Sequence, residues 1–446
     1  MSQAPPTPKG ALALRTLGEM IASRSLLRGI ESMHRGMGDV FSIPLPGFRP
    51  VVLVGPEWAH FVYVTGADKL LWRAERDPVT RLLRHGLLVE DHAEHDMLRH
   101  HLDPSLHRQM MANYAEVFVR RTDQVLEDWR SDRRLDMLVE MRRIALLILV
   151  EALFGEDFSS RLPQLWPAIL RVLRFISPGA WIVWPDIPRF GYGQARRALD
   201  KYLYEIISAK RAEPSADKDM ISGLIEAGLD DELIRDQALT MLIAGHDTST
   251  SLLTWTLYLI GRNPEIAARV HSEVDMLPAD RPPAFEHVDR LRFLGQVIDE
   301  SLRLYPPIHL SNRIAAENIA FNGYQIPAGS RVMMSIYLTH RDARYWPDPD
   351  RFDPDRFSPE ATKSRPPYTF LPFGGGRRNC IGSSFARAEA HIVLARIFQR
   401  YELAPVRHRV RAHMGATLEP RPGVWMVPIP REDSVPVFQQ VPSEAA

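Results

Sequence analysis

The only cysteine of the chain, Cys380, lies in a segment whose residue types could support metal binding. Residues 373–382 also contain three consecutive glycines and the adjacent pair Arg377 and Arg378. A helical apolar pattern follows from Ser383 to about Tyr401 and directs its positive end toward the sulfur. These charges favour the thiolate, the form that binds metals. One sulfur cannot build a four-cysteine zinc or iron–sulfur site, so the pattern predicts a single axial bond to a haem iron.

The alternative is that Cys380 is a small buried hydrophobic residue, as lone cysteines usually are. That alternative leaves the glycine run and the arginine pair unexplained. The chain resembles the cytochromes P-450, the haem-thiolate monooxygenases, because five residues match their haem-binding signature at every spacing: Phe373, Gly376, Arg378, Cys380 and Gly382. The resemblance implies haem b as the cofactor and Cys380 as the axial ligand of its iron. It also implies haem contacts by Phe373, Arg378 and Gly382.

The composition is that of an ordinary globular protein and limits the possible partners. Of the 446 residues, 45% are hydrophobic and 25% are charged, which is enough apolar material for a large core. The 55 basic residues balance the 55 acidic ones, so nucleic acid is not an expected partner. A single cysteine excludes an internal disulfide and fits a reducing cytoplasm, where we expect the protein to be. Residues 1–27 show neither a signal peptide nor a membrane span, which the resemblance associates with soluble, bacterial-type enzymes.

The hydrophobic patterns predict a mainly α-helical fold with small sheets. Residues 40–43 and 51–54 alternate around a Gly/Pro turn and predict a β-hairpin. The helical period then dominates to about residue 300, whereas prolines divide the last third into short strands and coil. The resemblance implies one cytochrome P-450 domain over residues 1–446, with the haem between a long central helix and the cysteine loop. Residues 1–9 and about 432–446 are expected to be flexible tails.

A polar interruption lies inside the long helical pattern from about Glu232 to Gly261. The Thr248 hydroxyl can bond to the carbonyl of Ala244 and open the helix locally. The order Ala-Gly-His-Asp-Thr matches the oxygen-activation motif of the resembling family, which implies that Ala244 lies against the haem and that Asp247 and Thr248 are catalytic. Thr248 would hold the water that supplies protons for O₂ cleavage, and Asp247 would connect it to solvent. The alternative is a helix with a few solvent-facing polar residues.

Four basic residues are assigned to the haem propionates by the resemblance. His95 and Arg99 are four residues apart on a predicted helix and share a face. Family members bind the propionates with such a pair and with arginines that correspond to Arg313 and Arg378. Two alternatives for the histidines remain open. They could form a solvated polar face, or a divalent-metal cluster of residues 92, 95, 100 and 101.

Glu300 and Arg303 lie near the end of a predicted helix that is stopped by two prolines. In the resembling family this pair locks onto an arginine in a later proline-rich segment, which corresponds to Arg356 here. A buried set of this kind is costly unless it is fully hydrogen-bonded, so its implied role is to hold the coil beside the haem in one shape. The aspartates of residues 348–355 lack the glycine and glutamate of a calcium-binding EF-hand loop.

Two segments bear on the substrate. Residues 166–197 are rich in Trp, Ile, Phe and Pro and resemble, by chain order, the mobile lid of the family, although a core-packing loop is equally open. Residues 308–310 fall where the family lines its pocket, or are ordinary strand residues. We expect a lipophilic small molecule, such as a fatty acid, terpenoid or polyketide, as the substrate of a monomeric enzyme.

The expected reaction is the insertion of one oxygen atom from O₂ into this substrate. No complete dinucleotide fingerprint is present, so electrons from NAD(P)H are expected through a separate ferredoxin- or flavodoxin-type donor and its reductase. Five arginines are expected to attract that acidic partner: Arg108, Arg344, Arg377, Arg378 and Arg387. The alternatives are a peroxide-driven or non-oxidative haem-thiolate enzyme of the same fold, and a haem-binding sensor without turnover.

Overall fold

The computed structural model describes residues 3–23, 25–45, 47–179, 187, 189–213, 219–278 and 281–431. The helices are α1 (Gly10–Ser23), α2 (Leu26–Met37), α3 (Pro56–His60), α4 (Pro78–Leu83), α5 (His92–Leu106), α6 (Met111–Leu126), α7 (Met137–Phe154), α8 (Leu162–Ile176), α9 (Tyr192–Ala212), α10 (Met220–Glu226), α11 (Asp231–Arg262), α12 (Pro264–Val274), α13 (Arg292–Leu304), α14 (Ile336–Thr339), α15 (Pro359–Lys363) and α16 (Ser383–Arg400). The strands are β1 (Val40–Ser42), β2 (Val51–Leu53), β3 (Leu70–Leu71), β4 (Leu135–Asp136), β5 (Leu310–Ala315), β6 (Ile319–Phe321), β7 (Tyr324–Ile326), β8 (Arg331–Ser335), β9 (Tyr401–Pro405), β10 (Arg411–Met414), β11 (Leu418–Arg421) and β12 (Trp425–Pro430).

A five-stranded sheet joins the N-terminal region to the last third of the chain. Its strand order is β1-β2-β8-β5-β3. The predicted hairpin is confirmed, since β1 pairs antiparallel with β2. Strand β2 runs parallel to β8, and β5 runs antiparallel to both β8 and β3. Along β5, burial alternates with the strand period, so Ser311, Arg313 and Ala315 face the interior together.

The central element is α11, which extends one residue beyond the predicted helix at each end. Asp230 caps its N-terminus by accepting the backbone N–H of Leu233 at 2.8 Å. Its 32 residues span about 48 Å and pack against α7, α9, α13 and α16, so most of its side chains are buried. The close approach of α7 depends on Gly245, because a Cβ there would lie 2.2 Å from Leu149 Cδ1.

The N-terminal residues are held in place more firmly than the sequence predicts. The backbone of Gln3 forms hydrogen bonds to Gly323 and Gln325, at 2.9 and 2.8 Å. The carbonyl of Pro6 accepts the N–H of Ser42 at 2.8 Å. Gln3 and Pro6 are therefore hydrogen-bonded to other segments of the chain, while residues 432–446 lie outside the described part of the chain.

A buried ion pair connects α13 to the proline-rich coil. Glu300 and Arg303 are both fully buried, and Arg303 Nε and Nη2 donate to the two carboxylate oxygens at 2.6 and 2.7 Å. Arg303 Nη1 also donates to the carbonyls of His340 and Pro349, at 2.9 and 2.7 Å. The N–H of Asp353 donates to Glu300 Oε1 at 2.9 Å. The pair thus fixes the course of a coil that has few hydrogen bonds of its own.

Arg356 lies beside this pair but interacts with it more weakly than the resemblance implies. Its Nε is 3.6 Å from Glu300 Oε1 and makes no hydrogen bond. Its Nη2 donates to the carbonyl of Asp348 at 3.0 Å. Arg356 therefore adds positive charge near Glu300, whereas the hydrogen bonds of the carboxylate come from Arg303 and Asp353.

We predict that Glu300→Gln strongly destabilises the fold, because it leaves Arg303 buried without an opposite charge. Loss of one partner of a buried ion pair costs about 3–5 kcal/mol. Thermal unfolding measures the effect. Glu205→Gln is the matched control, since Glu205 pairs with Arg161 at 3.3 Å on the surface and such pairs contribute little. Equal melting temperatures for the two variants would contradict the assigned role of Glu300.

Candidate active site

The cysteine loop has a conformation that its glycines permit. Gly376 has φ +64°, and a Cβ there would lie 1.9 Å from the carbonyl oxygen of Tyr63. The N–H of Cys380 donates to the carbonyl of Phe373 at 2.8 Å and closes the loop. Gly382 then caps α16. At position 376, therefore, glycine is required by the close approach of the Tyr63 backbone.

The charges around Cys380 differ from those expected. Arg377 pairs with Asp96 at 2.6 Å, and Arg378 pairs with Asp91, so both cations are neutralised by nearby carboxylates. Part of Cys380 is exposed, but protein atoms crowd its thiol and this desolvation raises the pKa. Two smaller effects oppose the rise.

These opposing effects come from the backbone and from α5. The N–H of Gly382 and the positive charge of Arg99 both lower the pKa of Cys380. Arg99 is held against the loop, because its Nη1 and Nη2 donate to the backbone and side-chain oxygens of Asn379, at 2.8 and 3.0 Å. Arg99, and not the arginine pair of the loop, is therefore the cation that favours the thiolate.

The oxygen-activation motif forms an uncovered patch on an otherwise buried helix. Thr248 Oγ1 donates to the carbonyl of Ala244 at 2.7 Å, as predicted from their spacing. Ala244 is exposed and Thr248 is half-buried, while Ile243, His246 and most residues around them are buried. The helix is continuous through this patch, so the expected local opening is absent. The patch is a place where a ligand could contact α11.

Asp247 accepts hydrogen bonds from two side chains and is only 2% exposed. Its Oδ1 accepts Arg142 Nη2 at 3.1 Å, and its Oδ2 accepts the Thr417 hydroxyl at 2.8 Å. The same Arg142 nitrogen donates to Glu419 Oε1 at 2.8 Å. The sequence suggested that Asp247 connects the site to solvent. In the structure Asp247 does not touch solvent directly, but Arg142 joins it to the partly exposed Glu419.

A second buried carboxyl group lies between α11 and α16. The Ser249 hydroxyl donates to Glu389 Oε2, and Glu389 is 1% exposed. Burial raises the pKa of Glu389 to about 8, although the hydrogen bond from Ser249 lowers it slightly. Glu389 is therefore mostly protonated at neutral pH. His246, on the same helix, is also fully buried, and this burial lowers its pKa to about 3.

Among the predicted propionate ligands, Arg313 has the environment that most needs an anion. It is 5% exposed and donates only to Ser311 Oγ and to the carbonyl of Asn312, at 3.1 and 2.7 Å. No carboxylate of the described residues pairs with it, and burial lowers its pKa to about 10. The ring of Trp72 lies 4.7 Å from the guanidinium. A buried arginine without a carboxylate partner suits the propionate of a haem.

The other three predicted propionate ligands already have partners within the chain. His95 is buried, and its Nδ1 lies 3.0 Å from Asp96 Oδ1. Arg378 also donates to the carbonyl of Glu90, and burial lowers its pKa. Arg99 contacts Asn379, as described above. These residues surround the cysteine loop, but their contacts are with protein groups.

The remaining predictions about the site have mixed outcomes. No group of three or more metal-ligating side chains suited to a metal ion occurs among the described residues, so the histidine cluster is wrong as a metal site there.

The residues expected near the substrate are placed as follows. Ile308 is 39% exposed, His309 is buried, and Leu310 begins β5. Of the predicted lid, residues 166–197, the first part lies in α8 and the last part in α9, whereas residues 180–186 and 188 lie outside the described residues. No helix of the described residues is long and apolar enough to cross a membrane.

The five arginines expected to attract an electron donor do not form a free cationic surface. Each lies within ion-pair distance of an acidic side chain: Arg108 of Asp289, Arg344 of Asp39, Arg377 of Asp96, Arg378 of Asp91 and Arg387 of Asp299. Their charges are therefore largely compensated within the chain, so these arginines offer little net positive charge to attract an acidic electron donor.

Several residues of the site could not be found from the sequence. Arg142 lies in the apolar helix α7, and Thr417 and Glu419 lie about 170 residues beyond Asp247 in the chain. Glu389 follows Cys380 within a helical pattern that gave no sign of its partner. The only local signal was a charged residue, Arg142, on a helix that is otherwise mainly apolar.

We predict a pH-dependent stability difference between the wild type and Glu389→Gln. The pKa of Glu389 is higher in the folded protein than in the unfolded chain, so the folded state holds the proton more tightly. The wild type should therefore lose stability relative to the glutamine variant as pH rises from about 5 to 8, by up to a few kcal/mol. Thermal unfolding across this range tests the prediction. Ser249→Ala removes the hydrogen bond that lowers the pKa of Glu389, so it should steepen the loss of stability with pH. A stability difference between the wild type and Glu389→Gln that stays constant with pH would contradict the prediction.

The chain is similar to known proteins over most of its length. The cytochrome P-450 family model matches residues 5–425. Cyclooctatin synthase of Streptomyces melanosporofaciens is 33% identical over 416 residues, covering 88% of this chain and 89% of that protein. Cyclooctat-9-en-7-ol 5-monooxygenase of the same organism is 30% identical over 347 residues, covering 74% and 75%.

A solved structure supports the fold independently. The retinoic acid-bound cyanobacterial CYP120A1 superimposes with a TM-score of 0.86 and 24% sequence identity, over 97% of this chain and 100% of that one. Its identity is too low to carry more than the fold. Together with the family model and the curated relatives, it leads to one conclusion: the chain belongs to the cytochrome P-450 family and is a haem-dependent monooxygenase.

Proposed function

We propose that this monooxygenase uses Cys380 as the thiolate ligand of haem and hydroxylates or epoxidises a carbocyclic terpenoid. The observation that carries the assignment of the site is the pairing of two features. Cys380 is partly exposed at the start of α16, and the Ala244–Thr248 patch is uncovered on α11, which packs against α16. We also propose that the chain forms one domain, a proposal that the continuous family match over residues 5–425 supports.

The residues present fit a haem. Arg313 supplies a buried cation without a carboxylate partner among the described residues, which suits a propionate. Gly382 adds no side chain beside the sulfur, and a Cβ there would meet only Cys380 Sγ, at 3.9 Å. A haem with a thiolate ligand supplies the redox chemistry that cleaves the O–O bond of O₂. His95, Arg99 and Arg378 would support the propionate side of the group less directly, because each has a partner in the chain.

Protons for this reaction would reach the site through α11. Thr248 holds its hydroxyl against the carbonyl of Ala244, which leaves its oxygen free to accept a hydrogen bond from a water on the uncovered patch. Asp247 is the adjacent acid, but both of its oxygens are bonded elsewhere. It must therefore leave at least one partner in order to exchange protons with that water.

The substrate class is supported by the relatives and by the patch. One relative is named as the 5-monooxygenase of cyclooctat-9-en-7-ol, an unsaturated alcohol, and another as cyclooctatin synthase. The uncovered part of α11 is formed by Ala244, Gly245 and the methyl-bearing Thr248, which offers little polar specificity. We propose a hydrocarbon-rich terpenoid on these grounds and place fatty acids and polyketides second.

The electron donor is proposed to be a separate small iron–sulfur or flavin protein with its NAD(P)H-dependent reductase. This proposal rests on the lack of a complete dinucleotide-binding motif in the sequence. The five arginines expected to attract this donor are compensated by carboxylates. The proposal therefore includes a separate donor but not its steering by these charges. A cytoplasmic location, proposed from the single cysteine, fits such soluble donors.

We predict that the reduced, carbon monoxide-bound protein has the red-shifted Soret band of thiolate ligation. Cys380→Ser should abolish this band, because a hydroxyl is a much weaker ligand than a thiolate. Absorption spectra of the two proteins after haem loading test the assignment. An unchanged spectrum in the serine variant would contradict Cys380 as the ligand, and a neutral-thiol or histidine spectrum in the wild type would contradict the haem-thiolate site.

We predict that Thr248→Ala mainly uncouples electron use from product formation. A panel of carbocyclic terpenoid hydrocarbons and alcohols, with fatty acids of matched carbon number, is incubated with a surrogate ferredoxin, its reductase and NADPH. The alanine variant should consume NADPH but release most of the reduced oxygen as hydrogen peroxide, while Thr248→Ser keeps the hydroxyl and stays coupled. Fully coupled turnover by the alanine variant would contradict the role of Thr248, and turnover of fatty acids alone would contradict the terpenoid proposal.

A further inference from the structure

The carboxylate of Asp247 accepts hydrogen bonds from two side chains, and one of these side chains also donates to a second carboxylate. Arg142, on α7, donates to Oδ1 at 3.1 Å, and Thr417, beside β11, donates to Oδ2 at 2.8 Å. Glu419, on β11, accepts from the same Arg142 nitrogen at 2.8 Å. Arg142 is thus shared between two carboxylates, and its contact with Glu419 is the shorter one. We name Arg142, Thr417 and Glu419 the Asp247 clamp.

Thr417 and Glu419 are positioned as a unit. They flank Leu418, whose carbonyl accepts the Ser251 hydroxyl at 2.8 Å and Trp255 Nε1 at 2.7 Å, both from α11. The N–H of Leu418 donates to the carbonyl of Pro307 at 2.9 Å. Residues two apart on a strand face the same side, so both side chains are turned toward Asp247 and Arg142 while Leu418 anchors the strand.

Release of Asp247 from Arg142 has an energetic consequence that depends on Glu419. Arg142 is buried, and its Nε makes no hydrogen bond. If Asp247 moved away and Arg142 had no other anionic partner, a buried guanidinium would lose its opposite charge, which is strongly unfavourable. Because Glu419 is already bonded to the same nitrogen, Arg142 keeps an anionic partner when Asp247 leaves. Glu419 therefore lowers the cost of freeing Asp247.

We propose that Glu419 is a positioning residue for proton supply. It makes the release of Asp247 easier because it keeps Arg142 paired with an anion. The hydrogen bond from Thr417 to Asp247 opposes that release. The inference rests on the proposed function, in which Asp247 passes protons toward Thr248. Released Asp247 takes a proton from solvent, gives one to the water at Thr248, and returns to Arg142 as the carboxylate. Glu419 does not touch the substrate and acts only through Arg142.

The test compares charge with shape at position 419 in the haem-loaded enzyme. Glu419→Gln keeps the shape and a neutral acceptor, whereas Glu419→Asp keeps the charge. We expect Glu419→Gln to slow turnover by about tenfold and to enlarge its solvent deuterium isotope effect, while Glu419→Asp stays close to the wild type. Thr417→Val, which removes one bond to Asp247, should be no slower than the wild type and should show no larger isotope effect.

The exposed Glu402 provides a control, since Glu402→Gln makes the same chemical change on β9 and should behave as the wild type. Wild-type rates and isotope effects in Glu419→Gln would overturn the proposal. Equal slowing by Glu419→Gln and Glu419→Asp would also overturn it, because both would then act through structure. Slower turnover of Thr417→Val with an enlarged isotope effect would also overturn the proposal.

A second readout does not depend on turnover. If the clamp exists in solution, Asp247→Ala removes the partner of Thr417, and the backbone amides of residues 414–421 should exchange with deuterium faster than in the wild type. Unchanged exchange would overturn the clamp itself. Because this experiment needs no substrate or electron donor, it separates a failure of the clamp from a failure of the proposed function. The carbon monoxide spectrum should be the same in all these variants, since Cys380 is retained.

Discussion

The burial of a polar helix in the middle of the protein constrains the rest of the structure. Helix α11 is surrounded by other elements, yet its central third carries Asp, Ser and Thr side chains that must find hydrogen-bond partners. Thr250 and Thr254 satisfy this need locally by donating to carbonyls four residues earlier, at 2.7 and 2.6 Å. The Asp247 carboxylate has no hydrogen to donate, and the Ser249 hydroxyl donates to Glu389 instead. Their partners come from α7, β11 and α16, so these side chains determine which elements pack beside the helix and in which register.

The same principle explains how the chain distributes its buried charges. The buried Arg303 has Glu300 and the partly buried Arg378 has Asp91, so these two cations are matched by carboxylates. Arg313 differs, because its acceptors in the described residues are neutral. This lack of a carboxylate partner among the described residues supports the proposed contact between Arg313 and a propionate. This contrast is a stronger argument for a propionate site than the presence of an arginine alone.

Glycines show how one residue type serves different physical needs. Gly376 is required because its backbone is in a left-handed conformation directly against the carbonyl of Tyr63. Gly245 is required by the approach of Leu149 from α7, which brings two helices together beside the oxygen-activation motif. Both positions belong to motifs that the sequence connects with a cofactor.

The sequence by itself determined the family, the helical architecture, the limits of α11 and α16, and the hydrogen bond between Thr248 and Ala244. Each of these depends on residues that are close together in the chain, where periodicity and spacing are sufficient. Only the tertiary structure decided the partners of Asp247, the pairing of Ser249 with Glu389, and which of four candidate cations lacks a carboxylate. The contacts of Asp247 and Ser249 join residues more than 100 positions apart, and the energies of all these contacts depend on burial. Burial is a property of the packed chain, so no local pattern could have revealed them.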